Sequence, residues 1–257
     1  MHRFFLPEKY IDGVDVFFPK DVSFQLNKVL RIKTGEEIIV LDNSGAEILV
    51  SLDKVNSNEA VGSIVEKRQG GGEPSVKVHL FQALIAAAKF EYVLQKGVET
   101  GVSKFVPFIS DRTDVGPPKE TRFERWKKII RESAEQSGRS FLPELHTTTD
   151  LMSALREAPG TKIIPWEKEF DCTVGSIFKE ENHNEDFQGQ VSIFIGPAGG
   201  FDKREIEYAR EEGAKTVALG NRILRSETAG VVASVLVLQA LGDYSNGSLR
   251  DFRFRVP

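Results

Sequence analysis

The feature that most constrains this chain is a doubled pattern between Val191 and Gly242, VSIFIGPAGGFDKREIEYAREEGAKTVALGNRILRSETAGVVASVLVLQALG. Val191 to Ile195 is a short apolar run suited to a strand buried on both faces. Gly196, Pro197, Ala198, Gly199 and Gly200 follow as a backbone-rich loop, and Asp202 with Glu205 has the spacing of a capping box that opens a helix. The second half repeats the scheme. Thr216 to Leu219 is strand-like, residues Gly220 to Arg225 connect, and Ser226 is expected to N-cap a final helix. From Ala229 to Leu241 that helix is apolar except at Ser234 and Gln239, so every side of it needs cover, part from the core and part from a second subunit. Two loops at the ends of parallel strands are where a ligand is expected.

Preceding elements agree with an α/β reading. Strands are predicted at Val76–Leu84, Phe105–Ile109 and Lys162–Pro165. A helix over Phe90–Val98 turns Phe90, Val93, Leu94 and Val98 inward, and one over Arg122–Gly138 carries Phe123, Trp126, Ile129, Ile130 and Ala134 at helical spacing. The other face of that helix bears a basic stripe, Arg122, Arg125, Lys127, Lys128 and Arg131. Residues 1–69 read as mostly β, with Glu36–Leu41 and Ala46–Leu52 joined by the turn Asp42–Gly45. Between Asp21 and Arg31, Phe24, Leu26, Val29 and Leu30 suggest a short amphipathic helix with Lys28, Arg31 and Lys33 beside it. Residues 70–75, centred on three glycines, are expected to be a flexible linker before a second domain over 76–257.

Composition excludes several classes. The longest apolar run is shorter than the roughly 20 residues a membrane span needs, and the start MHRFFLPEKYIDGVD meets Glu8 and Lys9 before a secretory segment develops; a cytoplasmic protein is expected. A single cysteine, Cys172, and scattered histidines argue against a metal site. Net charge is −4, and Trp166–Gln190 holds seven acids against two lysines, so the remainder keeps room for a basic surface. After the last helix, Arg250, Arg253 and Arg255 form a basic tail.

GPAGGF and LGNRILRSETA together resemble the signature loops of the SPOUT methyltransferases, most closely the RsmE-type ribosomal RNA uridine-N3 methyltransferases. The resemblance implies a parallel sheet with a C-terminal trefoil knot, preceded by a small PUA-like β-barrel that binds RNA; HRFF and VLRIKTGEEIIVLDNSG are similar to that barrel. It implies that S-adenosylmethionine is held by Ile195, Gly196, Pro197, Gly199, Gly200, Leu219, Gly220, Ile223, Leu224, Ser226 and Thr228, with Trp166 and Glu167 at the adjoining strand end. RWKKIIRESAEQSGRSFLPEL matches the family's helix and loop, which adds Glu135, Gln136 and Arg139 to Arg3, Lys28, Arg31 and Lys33 as RNA-contact candidates; Glu135 and Arg139 can alternatively pair with each other at i,i+4. The expected partners are small-subunit 16S ribosomal RNA and a second copy of the chain, without metal or membrane. The sequence departs from the family where Phe24 and Gln25 stand in place of histidines, where Ile85–Ala88 replace Pro-Lys-Gly-Asp, and where Ala198 replaces a glutamate.

Methylating uridine N3 requires loss of its proton and donors for the charge that spreads onto both carbonyl oxygens. Arg225 is the first choice as donor. Glu227 is the nearest acid and a candidate base, although a carboxylate at a helix start more often only stabilises the helix. Two other classes remain open: a noncatalytic RNA-binding assembly factor, motivated by Ala198, and a nucleotide-cofactor oxidoreductase, motivated by the strand–glycine–helix pattern but without GxGxxG.

Overall fold

A computed structural model describes residues 1–181 and 189–244. Arg250, Arg253 and Arg255 lie outside the described residues, as does part of the acidic stretch. The chain forms two compact units, Met1–Glu73 with Ala134–Leu142, and Pro74–Ser133 with the described residues from Pro143 to Tyr244.

The first unit is built on six strands, β1 (Arg3–Phe5), β2 (Ile11–Asp12), β3 (Asp15–Phe18), β4 (Glu37–Leu41), β5 (Ala46–Val55) and β6 (Ala60–Gln69), in the order β1-β4-β5-β6-β3-β2. Only β1 and β4 run parallel. The expected hairpin is present: Leu41 faces Glu47, and the turn uses Asn43 and Gly45 at φ 64° and 88°. Leu26, Ile38, Val40, Ile48, Val50 and Leu52 fill its core.

Two expectations in this unit fail. Helix α1 (Lys20–Phe24) does not continue as an amphipathic α-helix but passes into a π-turn over Gln25–Val29. One extra residue in that turn rotates the apolar pattern off the core: Leu26 is buried, whereas Phe24 is 51% and Val29 63% exposed. The glycines before Pro74 are packed rather than flexible. Gly70 N–H donates to the Gly45 carbonyl at 2.8 Å, a Cβ at Gly72 would collide with the Gly138 carbonyl, and Glu73 holds Arg139. Here the missing side chains permit close approach of two backbones.

The second unit is α/β. Its strands β7 (Lys77–Ala83), β8 (Val102–Ile109), β9 (Glu144–Leu145), β10 (Thr149–Asp150), β11 (Thr161–Pro165), β12 (Gln190–Ile195) and β13 (Lys215–Val217) form one parallel sheet in the order β10-β8-β7-β12-β11-β13, with β9 also on β8. Helices α2 (Ala87–Glu99), α3 (Glu120–Ser137), α4 (Leu151–Glu157), α5 (Val174–Glu181), α6 (Lys203–Glu211) and α7 (Ser226–Ala240) connect the strands and follow the last of them. Phe90, Val93, Leu94 and Val98 are fully buried as their spacing predicts, and the Phe90 ring stacks on Trp126 at 4.2 Å. On the opposite side of the sheet Phe81 stacks on Phe194 at 4.4 Å within a cluster that includes Phe108, Phe201 and Ile206.

Because β12 lies between β7 and β11, the loop after Ile195 opens centrally in the sheet, while β13 delivers the second loop from its edge. Helix α7 then packs against α2, α5, β7 and β12. Its buried face is Gly230, Ala233, Ser234, Val237 and Leu238, and Leu236 remains 36% exposed. No described helix is long and apolar enough to cross a membrane.

Candidate active site

The first loop begins where β12 ends, with Ile195 opposite Gln82 of β7. Gly200 N–H donates to the Pro197 carbonyl at 3.0 Å, closing a tight turn, and Gly200 takes φ 68°. A Cβ on Gly196 would meet the Phe201 ring at 3.1 Å. The expected capping box forms: Asp202 N–H donates to Glu205 Oε2 at 2.7 Å and the Asp202 side chain caps α6. Arg204's backbone N–H chiefly, with Arg112 beside it, holds the Asp202 carboxyl below its usual range.

Arg112, from the turn after β8, reaches this loop. Its Nη2 donates to Asp202 Oδ2 at 2.9 Å and its Nη1 to the Gly199 carbonyl at 3.2 Å. Asp111 N–H donates to Glu205 Oε1 at 2.8 Å. The glycine loop is therefore clamped to its neighbour at two points. No sequence pattern singled out Arg112, which is far from Gly199 along the chain.

The second loop keeps Gly220 at φ 110°, with nothing within 4 Å of where its Cβ would lie. Ile223 is 87% exposed, and Arg222 and Arg225 are exposed beside it. Leu219 and Leu224 are half-buried, and Thr228 is exposed one turn into α7. Ser226 differs from expectation. Arg225 holds the N-cap position without a capping side chain, and Ser226 is the first helical residue. Its hydroxyl donates to the Gly196 carbonyl at 2.6 Å and accepts from Gln82 Nε2 at 2.9 Å. A longer-range bond has taken the hydroxyl away from the local cap.

Gln82 Nε2 also donates to the Ala83 carbonyl at 3.2 Å. One buried amide and one hydroxyl thus join the end of β7, the first loop and the start of the last helix.

At the end of β11, Trp166 is half-buried on the aromatic cluster, its backbone N–H donates to the Val217 carbonyl at 3.0 Å, and Arg210 lies 5.4 Å from its ring centre. Glu167 is exposed, with its carboxylate 3.7 Å from the Cβ position of Gly200. Thr216 donates to Glu169 Oε2 at 2.6 Å, and this hydroxyl is the main reason that the Glu169 carboxyl titrates low.

Glu227 lies 3.2 Å from Lys89 Nζ of α2. Burial raises its pKa, but its own backbone N–H, Lys89 and Arg225 together carry it below the ordinary value. A carboxylate so held is a weaker proton acceptor, which fits it to the helix-start role.

The remaining sequence candidates lie in the first unit. Lys28, Arg31 and Lys33 are exposed. Arg3 Nε sits 3.9 Å from buried Glu47, Glu135 accepts from Phe5 N–H at 2.9 Å, and Gln136 is exposed. Arg139 is 3% exposed and grips Glu73 through Nε at 3.0 Å and Nη2 at 2.8 Å.

Residues 72–238 match the RNA methyltransferase domain family. The chain belongs to this family. It is 34% identical over 235 residues to ribosomal RNA small subunit methyltransferase E of Mesomycoplasma hyopneumoniae, covering 90% of this chain and 96% of that one. The Bacillus subtilis protein of the same name is 30% identical over 251 residues, covering 91% and 94%. Among solved structures, ribosomal RNA small subunit methyltransferase E from Neisseria gonorrhoeae bound to S-adenosyl methionine superposes with TM-score 0.83 at 30% identity, covering 95% of this chain and 98% of that chain. In this RNA methyltransferase both loops that the sequence singled out fall within the matched domain, and the Ser226–Gly196 bond ties one to the other.

Proposed function

We propose that the protein is an S-adenosylmethionine-dependent methyltransferase of small-subunit ribosomal RNA that modifies N3 of one uridine. The observation carrying this reading is the meeting of two glycine loops through Ser226 and Gly196 in a chain of the RNA methyltransferase family. The residues suit the cofactor. Ile195, Gly196, Pro197, Gly199 and Gly200 offer mostly backbone, and the open space above Gly220 leaves room for a ligand at the second loop. Leu219, Ile223, Leu224, Ser226 and Thr228 would hold the cofactor from that side, with Trp166 and Glu167 at the adjoining strand end. When bound, the sulfonium supplies the methyl group.

Arg225, exposed at the start of α7, donates to the uracil oxygens as N3 loses its proton; its fixed positive charge favours the anion. Glu227 keeps Lys89 and the helix start in place, and the N3 proton passes to solvent water as the methyl group is transferred and S-adenosylhomocysteine leaves. Reaching N3 requires an unpaired or everted base. Residues 1–69 act as a PUA-like barrel for RNA, residues 70–75 join it to the methyltransferase domain over 76–257, and the return of α7 against β7 and β12 supports a C-terminal trefoil knot. Half-exposed apolar residues on α7 such as Leu236 suit a homodimer, and the ribosomal substrate implies a cytoplasmic location.

The test measures methyl transfer to small ribosomal subunits from a strain lacking the enzyme, beside calorimetry with S-adenosylhomocysteine and with NAD. Transfer to uridine N3 and heat only with S-adenosylhomocysteine are expected. Heat with NAD alone overturns the reading, and cofactor binding without transfer replaces it with a noncatalytic assembly factor. Arg225→Ala should lower turnover about a hundredfold while leaving cofactor affinity nearly unchanged.

A further inference from the structure

Three local costs coincide between Lys20 and Lys33. The chain adopts a π-turn over Gln25–Val29, a rare geometry that concentrates at functional sites. Arg31 stands at φ 57°, a left-handed conformation that disfavours a side chain. Phe24 and Val29 are 51% and 63% exposed although the same turn buries Leu26. The backbone explains part of this, since Ile32 N–H donates to the Leu26 carbonyl at 2.9 Å and closes the turn around Arg31. It does not explain why an aromatic ring faces water.

The charge around that ring points to its occupant. Lys20, Lys28, Arg31 and Lys33 are all exposed, Asp21 is the lone acid of the segment, and among the described residues none of these four cations makes an ion pair. In the basic stripe of α3 most of the charge is already engaged: Arg125 pairs with Glu91, Lys127 with Glu124 and Lys128 with Glu132, which leaves Arg122 and Arg131 exposed on a helix with no exposed aromatic ring beside them. Phe24 and Lys28 stand four residues apart across the start of that turn, both exposed. A flat apolar face flanked by unpaired cations suits a base stacked on the ring with its phosphates against the ammonium groups. An acidic peptide would use the cations and leave the ring idle.

We infer that the turn from Lys20 to Lys33 binds a single-stranded segment of the substrate RNA, with Phe24 as the stacking platform for one base. This rests on the ribosomal RNA reading above. It assigns the contact to this turn rather than to α3.

The test compares the affinity of the full chain for small ribosomal subunits among wild type, Phe24→Ala, Phe24→Trp and the α3 double variant Lys127→Ala/Lys128→Ala, with S-adenosylhomocysteine calorimetry on each as a check that the cofactor domain is intact. Phe24→Ala should weaken binding roughly ten- to hundredfold, the range of one lost base–aromatic stack, and Phe24→Trp should keep it. Lys28→Ala should also lower the slope of log affinity against log salt by about 0.7. Wild-type affinity in Phe24→Ala, failure of Phe24→Trp to keep it, or an equal loss in the α3 variant overturns the assignment while leaving the methyltransferase reading intact. If the wild-type chain itself does not bind the subunits, the ribosomal RNA reading falls as well.

Discussion

The two glycine loops are built by opposite means. The first is fastened on every side: a turn bond inside it, the Asp202 cap behind it, Arg112 across it and Ser226 beneath it. The second is anchored at its ends, by Val217 and Ala218 at one and Ser226 at the other, while Gly220, Arg222, Ile223 and Arg225 between them face solvent. A ligand entering the site would meet one wall fastened throughout and one held only at its ends.

The sharpest way to break this comparison is Ser226→Ala, which strips the part-buried Gly196 carbonyl of a donor and the buried Gln82 amide of one of its two acceptors. A loss of about 1–2 kcal/mol is expected from one carbonyl left without its donor and one amide hydrogen left without its acceptor, read from the urea midpoint, together with weaker S-adenosylhomocysteine binding. An unchanged midpoint would mean that the loops are not fastened to each other. Next in size is Arg112→Ala. Its ion pair is half-exposed, so the midpoint should barely move, but loosening the first loop should weaken S-adenosylhomocysteine about tenfold by calorimetry. Arg112→Lys should recover only part, because an ammonium cannot fork between a carboxylate and a carbonyl. The smallest effect is expected at Ile223→Ser. Stability should stay within about 0.5 kcal/mol, and thermal shift by S-adenosylhomocysteine should shrink modestly; no change in that shift would show that the second loop does not close on the ligand.

Local patterns were legible wherever a neighbour in sequence is also the partner in space. The Asp202–Glu205 box, the Asp42–Gly45 hairpin and the inward face of α2 all appear at the residues their spacing marks. Ser226 was misread because its local role lost to a carbonyl thirty residues earlier. Phe24 was misplaced because one π-turn shifts the helical phase on which an amphipathic reading depends.

By itself the sequence determined the strand–loop–helix repeat, the glycines that permit its loops, the α/β class of the second unit and the β-rich character of the first. Only tertiary structure decided that Gln82, Ser226 and Gly196 form one chain of bonds, that Arg112 serves the glycine loop, and that Arg139 is buried on Glu73. The reason is physical. Backbone geometry and periodicity are set within a few residues, whereas a buried polar side chain takes whichever partner the packed fold brings within about 3 Å.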